Sequence, residues 1–237
     1  MKPKSCDNAA SDWALKLFSL SPIKQRKLSK ILKYAGDFKD KVCLDIGSDN
    51  GVISLLLRRR GGVWHSADLI EETVKSIESL VGERVFQLKD GEATPYPDSY
   101  FDLIVVVDYL EHIENDRAFV KEMWRILKDG GAAVFNVPNP KRGVVRWLKE
   151  ALGQDDAAHG HLRSGYTIQD LNNLLAGYFT VVEHEEYSRA FSELADTAIT
   201  FALDLIKGKR SRKGTLVTGS DFKRYSKSLF LYKIIYP

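Results

Sequence analysis

The chain is poor in the features that mark secreted, membrane-spanning or nucleic-acid-bound proteins. Only two cysteines occur in 237 residues, Cys6 in a polar N-terminal stretch and Cys43 in an apolar run. That pair predicts no structural disulfide and fits a reducing cytoplasm. No run reaches the about 18 apolar residues that a spanning helix needs. The start, MKPKSCDNAASDW, has no apolar stretch after its lysines, so no signal peptide is expected. The net charge is only +3, too little by itself to imply nucleic acid. Low-complexity linkers and internal repeats are missing as well. What remains is 44% hydrophobic and 28% charged, a composition that buries a full core without staples.

The middle of the chain alternates two patterns. KVCLDI (41–46), GVWHSADL (62–69), RVFQLK (84–89), FDLIVVVD (101–108) and AAVFNV (132–137) read as apolar strands. NGVISLLLRRRG (50–61), EETVKSIESL (71–80) and residues 115–128 read as the helices between them, with Lys128–Gly131 as a turn. Continuously apolar strands alternating with helices predict a parallel sheet covered on both faces. Upstream, residues 9–35 read as helical, with Ser21 as N-cap before Pro22. Downstream, the spacing predicts a helix over 142–153, a loop over 154–166 and a helix over 167–175, with Thr167 and Asp170 spaced as a capping box. A sixth strand is expected over 178–188, an apolar helix over 190–206 and a final strand over 228–237. Charge is uneven. Residues 206–228 hold eight Lys/Arg and one acid, about +7.

LDIGSDNG (44–51) follows the first strand and opens a helix. Gly47 allows a tight turn and a close backbone approach to a ligand, and the helix after Asn50 points free amides at the loop. A dinucleotide site prefers G-x-G-x-x-G. Here the spacing is G-x-x-x-G, and Asp49 stands where the middle glycine would be. An acid there repels a pyrophosphate and tolerates a cationic ligand, which disfavours NAD and favours a nucleoside without phosphates.

DIGSDNG resembles the D/E-x-G-x-G-x-G motif of class I S-adenosylmethionine-dependent methyltransferases, with Asp49 departing from the usual glycine. Further segments resemble that family in order. They are Asp68 at the end of the second strand, KDGEATPYPDSYFDLIV (89–105), VDYLEHI (107–113), ILKDGGAAVFNVPNP (126–140) and SGYTIQDLNNLLAGYFTVVE (164–183). The resemblance covers roughly residues 40–187. It implies a Rossmann-like α/β fold with a seven-stranded sheet of order 3-2-1-4-5-7-6, strand 7 antiparallel and helices on both faces. The domain organisation expected from it is a helical cap over 1–36, then a methyltransferase domain over 37–237 with a helical and basic insertion at 189–227.

The same resemblance implies S-adenosyl-L-methionine as cofactor and gives the candidate residues their roles. Gly47 and Gly51 form the turn over which it sits. Asp68 takes the ribose hydroxyls, and one carboxylate suits two hydroxyl donors. Asp90, followed by Gly91, matches the residue at the adenine amino group. Asp45 supports the loop and the methionine amino group, and Asp108 lies at the same cofactor edge. Leu69 either packs on the adenine face or belongs to the core. Asp49 is either solvated or faces the methionine amino group.

Methyl transfer needs alignment of the nucleophile with the sulfonium carbon and exclusion of water. An oxygen nucleophile also needs a base with a pKa near 7. His112 follows the fourth strand, and His161 and His159 lie in the loop before the 167 helix, so His112 and His161 are the candidate bases and Glu111 a candidate partner for a histidine. His65 and His184 sit in strand-like runs and read as structural. H-x-H without nearby cysteine is too little for zinc. The predicted acceptor is a small molecule or a lipid-linked compound, methylated at oxygen. The apolar 191–206 run and KGKRSRK (207–213) read either as a solvated loop after a helix or as a peripheral contact, over 191–213, with an anionic inner membrane surface. An RNA contact lacks the interleaved aromatics such sites use. The rival functions are a non-catalytic S-adenosylmethionine-binding protein and an NAD(P)-dependent oxidoreductase.

Overall fold

The apolar run Phe101–Val107 becomes an inner strand of a parallel sheet. Leu103, Val105 and Val107 pack to one side of it, Ile104 and Val106 to the other, and none exceeds 1% exposure. A strand buried on both faces has to be apolar throughout, which is why its sequence shows no alternation. Each such aliphatic side chain contributes about 1.5–3 kcal/mol when fully buried.

The computed structural model describes residues 14–16, 18–19, 21–48, 50–140 and 162–187. In chain order they form α1 (Pro22–Ala35), β1 (Val42–Ile46), α2 (Val52–Arg58), β2 (Val63–Asp68), α3 (Glu71–Val81), β3 (Val85–Gln87), β4 (Phe101–Val107), α4 (Asp116–Ile126), β5 (Leu127–Asn136) and α5 (Ile168–Leu175). A single 3-10 turn, Leu110–His112, follows β4. The strands lie in the order β3-β2-β1-β4-β5, all parallel. One layer, α1, α2 and α3, buries Ile31, Val52, Leu57 and Leu80 against Trp64 and Val105. The opposite layer, α4 and α5, buries Phe119, Met123, Leu174 and Leu175 against Leu44, Ile46 and Ile104. This is the parallel sheet covered on both faces that the alternating pattern predicts, and the α/β Rossmann-like architecture that the resemblance implies.

Local chemistry sets the helix ends. Ser21 precedes Pro22 and accepts the Lys24 amide at 3.4 Å. Thr167 Oγ1 accepts the Asp170 amide at 3.2 Å while the Asp170 carboxylate accepts the Thr167 amide at 2.9 Å, completing the capping box. Lys30, Lys33 and Tyr34 of α1 all bond to the Glu185 carboxylate, holding the 183–187 segment along that helix.

Two expectations need correction. Lys128–Gly131 is no separate turn but a bulge inside β5, where the pairing jumps from Phe101↔Leu127 to Leu103↔Ala132. Gly130, at φ 73°, supplies the left-handed residue that such a bulge needs. The sixth strand expected over 178–188 is not formed in residues 178–187. In the predicted order its neighbour is the strand at 228–237, which lies outside the described residues. With no ladder partner among the described residues the segment stays open, and Val182 is 93% exposed. The expected helices over 142–153 and 190–206 and the 189–227 insertion also lie outside them, as do residues 1–13.

Candidate functional site

β1 runs into the Gly47 turn. Gly47 has φ 79°, and a Cβ there would lie 2.2 Å from the Val107 carbonyl oxygen. Gly51, at φ 83°, lets α2 approach α3 so closely that a Cβ would lie 2.8 Å from the Ile77 Cα. Both glycines are therefore required by backbone packing alone, whatever the turn binds. The Gly47 contact also places the turn directly beside the end of β4. Asp49 lies outside the described residues.

Asp45 sits beneath this turn, fully buried. Its carboxylate accepts hydrogen bonds from Ser54 and, at 2.7 Å, from Ser66, and Arg58 stands 3.5 Å away. Ser54 in turn meets Ser48 at 2.6 Å. Burial raises the Asp45 pKa, and Arg58 and the serines oppose that rise. The carboxylate thus braces the turn from below through Ser48 and Ser54.

At the carboxyl ends of the next strands lie two more acids. Asp68 ends β2, is 7% exposed, and accepts the Ile70 amide at 3.1 Å. Leu69 is half-buried and packs on the core layer of α4 and α5. Asp90 follows β3 and accepts the amides of Glu114 and Asn115 at 2.9 and 3.2 Å. Those bonds tie it to the turn between β4 and α4. Gly91 (φ 75°) packs against Asn115, whose Nδ2 would lie 3.2 Å from an added Cβ. A narrow crevice opens here, lined by Leu88, Asp90, Gly91, Tyr109, Ile113 and Phe119.

The end of β4 carries the third acid. Asp108 takes a left-handed φ of 45°, accepts the Asn136 side-chain amide at 2.9 Å, and pairs with Lys27 of α1. The Tyr187 hydroxyl donates to the Asn136 side-chain oxygen. Burial raises the Tyr187 pKa, with Lys27 opposing it. Four elements thus converge on the carboxyl edge of β4 and β5. Sequence reasoning placed Asp108 here but missed Lys27, Asn136 and Tyr187. The signal for Asn136 was legible as the one polar residue within the otherwise apolar run AAVFNV.

Of the histidines, His112 lies in the 3-10 turn at the same edge, with its side chain 19% exposed. Its Nε2 is 3.9 Å from a Glu111 oxygen, beyond hydrogen-bond length. His159 and His161 lie outside the described residues, but the residue after them, Leu162, donates its amide to the Glu111 carbonyl at 2.9 Å. The chain therefore re-enters the described structure beside His112. His65 is far from this edge in character. Its Nδ1 meets the Tyr96 hydroxyl at 2.7 Å, and Tyr96, Tyr100 and Phe101 surround its ring edge-on. His184 is exposed. Among the described residues no cluster of His, Cys, Asp and Glu is suited to a metal ion.

The donor chemistry of S-adenosylmethionine consists of a ribose diol, an exocyclic adenine amine and a methionine ammonium. The acids at the ends of β2, β3 and β4, set around one glycine turn, supply acceptors of the matching kind, and a carboxylate has about four acceptor sites. The residues present fit that cofactor.

Known proteins point the same way. A ubiquinone biosynthesis O-methyltransferase from Serratia proteamaculans is 27% identical over 142 residues, 57% of this chain and 58% of the relative. One from Yersinia pestis is 25% identical, over 57% of each. The chain thus spans somewhat over half the length of these curated relatives. Among solved structures, the YcgJ protein from Bacillus subtilis superposes with a TM-score of 0.56 at 19% identity, covering 77% of this chain and 82% of that one. The [4+2]-cyclase SpnF superposes with a TM-score of 0.59 at 17% identity, covering 89% and 76%. These two likenesses concern the fold. The family model described as a methyltransferase domain matches residues 22–184, from the first residue of α1 to the segment clamped beside it. The chain belongs to that family, the class I methyltransferases whose cofactor is S-adenosylmethionine.

Proposed function

We propose that the protein transfers the methyl group of S-adenosylmethionine to a hydroxyl oxygen of a small-molecule acceptor. The observation that carries this reading is the placement of Asp68 and Asp90 at the carboxyl ends of β2 and β3, the sheet edge at which the Gly47 turn leaves β1 and bonds Ala67. Ligands of open parallel sheets bind at that edge. Bound there, the cofactor supplies a methyl group already activated by the sulfonium charge. The chain has to hold it, align the acceptor and exclude water.

In this reading Asp68 accepts from the ribose hydroxyls and Asp90 from the adenine amine, beside Gly91 and the crevice. Leu69 flanks the adenine, and Gly47 and Gly51 shape the turn under the methionine. Asp108 and Asp49 offer negative charge to the methionine ammonium. Asp45 acts indirectly, through the serines that brace the turn. His112 is the candidate base for the acceptor hydroxyl, with His161 as the alternative. The relatives named for ubiquinone biosynthesis direct the first acceptor screen to phenolic and quinol hydroxyls. A lipid-linked acceptor and a contact with the inner membrane surface rest on the sequence of 191–213. No helix among the described residues is long and apolar enough to cross a membrane.

Isothermal titration with S-adenosylmethionine and S-adenosylhomocysteine tests the cofactor site. Wild-type protein binds both. Asp68→Ala binds at least about tenfold more weakly, because two hydroxyl bonds to a charged acceptor are lost. Wild-type protein that binds neither compound overturns the proposal.

A further inference from the structure

The turn between β4 and α4 is gripped from two sides. On one side Asp90 accepts the amides of Glu114 and Asn115. On the other, Arg163 donates to the carbonyls of Ile113 and Glu114, at 3.0 and 3.4 Å, and pairs with the Asp116 carboxylate. Tyr166, 7% exposed, extends this grip. Its hydroxyl accepts from Arg163 at 2.5 Å and faces Leu110 O and Asp116 Oδ2 at 3.2 and 3.0 Å. Its amide donates to Pro138 O at 2.9 Å, and Gly165 passes so near that a Cβ would lie 2.1 Å from the same oxygen. The 162–166 segment thus straps the ends of β4 and β5 together.

We propose that Arg163 is a positioning residue that couples cofactor binding at Asp90 to the acceptor-side strap at 162–166, through the turn that carries Glu111 and His112. The inference rests on the reading of Asp90 as an adenine contact. The guanidinium is suited to the task because its planar fork reaches a carboxylate and two carbonyls at once. An ammonium keeps the charge opposite Asp116 and forfeits the fork. The grip is partly shielded, with Arg163 and Asp116 side chains 30% and 20% exposed. A ligand that fixes Asp90 stiffens the turn, and a stiffened turn presents fixed carbonyls to Arg163. By linkage the strap then favours the ligand by the same factor.

The test uses the full chain, with S-adenosylhomocysteine as the probe. Titration calorimetry and amide hydrogen exchange are run on wild type, Arg163→Ala and Arg163→Lys. In wild type the probe slows exchange at Glu114 and Asn115 and also across 162–166. In both variants binding weakens by about tenfold, within the range of coupled sites, and the protection at 162–166 disappears. Exchange in β1 and β4 reports global stability and stays at the wild-type level. Variants that bind like wild type overturn the inference alone. So does a loss of affinity matched by faster exchange throughout β1 and β4, or full retention of coupling in Arg163→Lys. Wild-type protein that does not bind the probe overturns the cofactor reading and the inference with it.

Discussion

Gly47→Ala separates what backbone packing requires of the glycine turn from what a ligand requires. At φ 79° an alanine is held in the left-handed region, at a cost of about 1–2 kcal/mol. Its Cβ would also stand 2.2 Å from Val107 O and 3.1 Å from the Tyr109 Cβ, so β4 or the turn has to move. Such overpacking costs about 1–3 kcal/mol. The two effects together give about 2–5 kcal/mol. Gly177→Ala serves as the control, because Gly177 has φ 85° and nothing within 4 Å of the added Cβ. It incurs only the first cost. Urea unfolding of wild type and both variants, followed by circular dichroism, gives the difference directly. The expected order is wild type, then Gly177→Ala, then Gly47→Ala lower by a further amount of about 1–3 kcal/mol. Equal destabilisation of the two variants would refute the claim that close approach to β4 dictates the glycine.

Two further predictions concern titratable groups within the fold, Asp45 buried and His65 half-buried. Asp45→Ala removes the acceptor shared by Ser54, Ser66 and Arg58, and destabilises by about 3–5 kcal/mol, the range for breaking a buried pair; a urea midpoint close to wild type would show that the brace under the turn is dispensable. The His65 pKa is lowered, by burial first and then by Arg84 and Arg58, so the fold favours the neutral ring and the unfolded chain binds the proton more readily. Stability at this group is therefore full above the unfolded pKa of about 6.5 and falls as pH drops below it. Thermal unfolding at pH 7.5 and pH 5.5 is expected to show a larger acid loss in wild type than in His65→Gln, and parallel losses would refute the assignment.

What the sequence disclosed and what it withheld divide along a physical line. The parallel sheet was legible because each strand is a short apolar run bounded by its own helix, whereas the order β3-β2-β1-β4-β5 came from the family resemblance, consistent with right-handed crossovers. Gly47 was legible as the glycine that turns the chain after an apolar strand, while Asp68 and Asp90 were picked out by the family resemblance, at strand ends that share one edge of the sheet. Side-chain pairing across the chain was not. Lys27 and Asp108 are 81 residues apart, and Arg163 and Asp116 are 47 apart. Nothing in the composition near Arg163 distinguishes it from a solvated cation. Asp90 shows the same limit from within a recognised motif. Its position was read correctly as lying at the edge, yet both its oxygens hold backbone amides of the turn before α4. That turn is thus organised by Asp90 without any ligand. In the proposed coupling, a cofactor adds its own bond to a carboxylate already oriented by those two amides and stiffens the turn further, and that added stiffness is what reaches Arg163 through the Ile113 and Glu114 carbonyls.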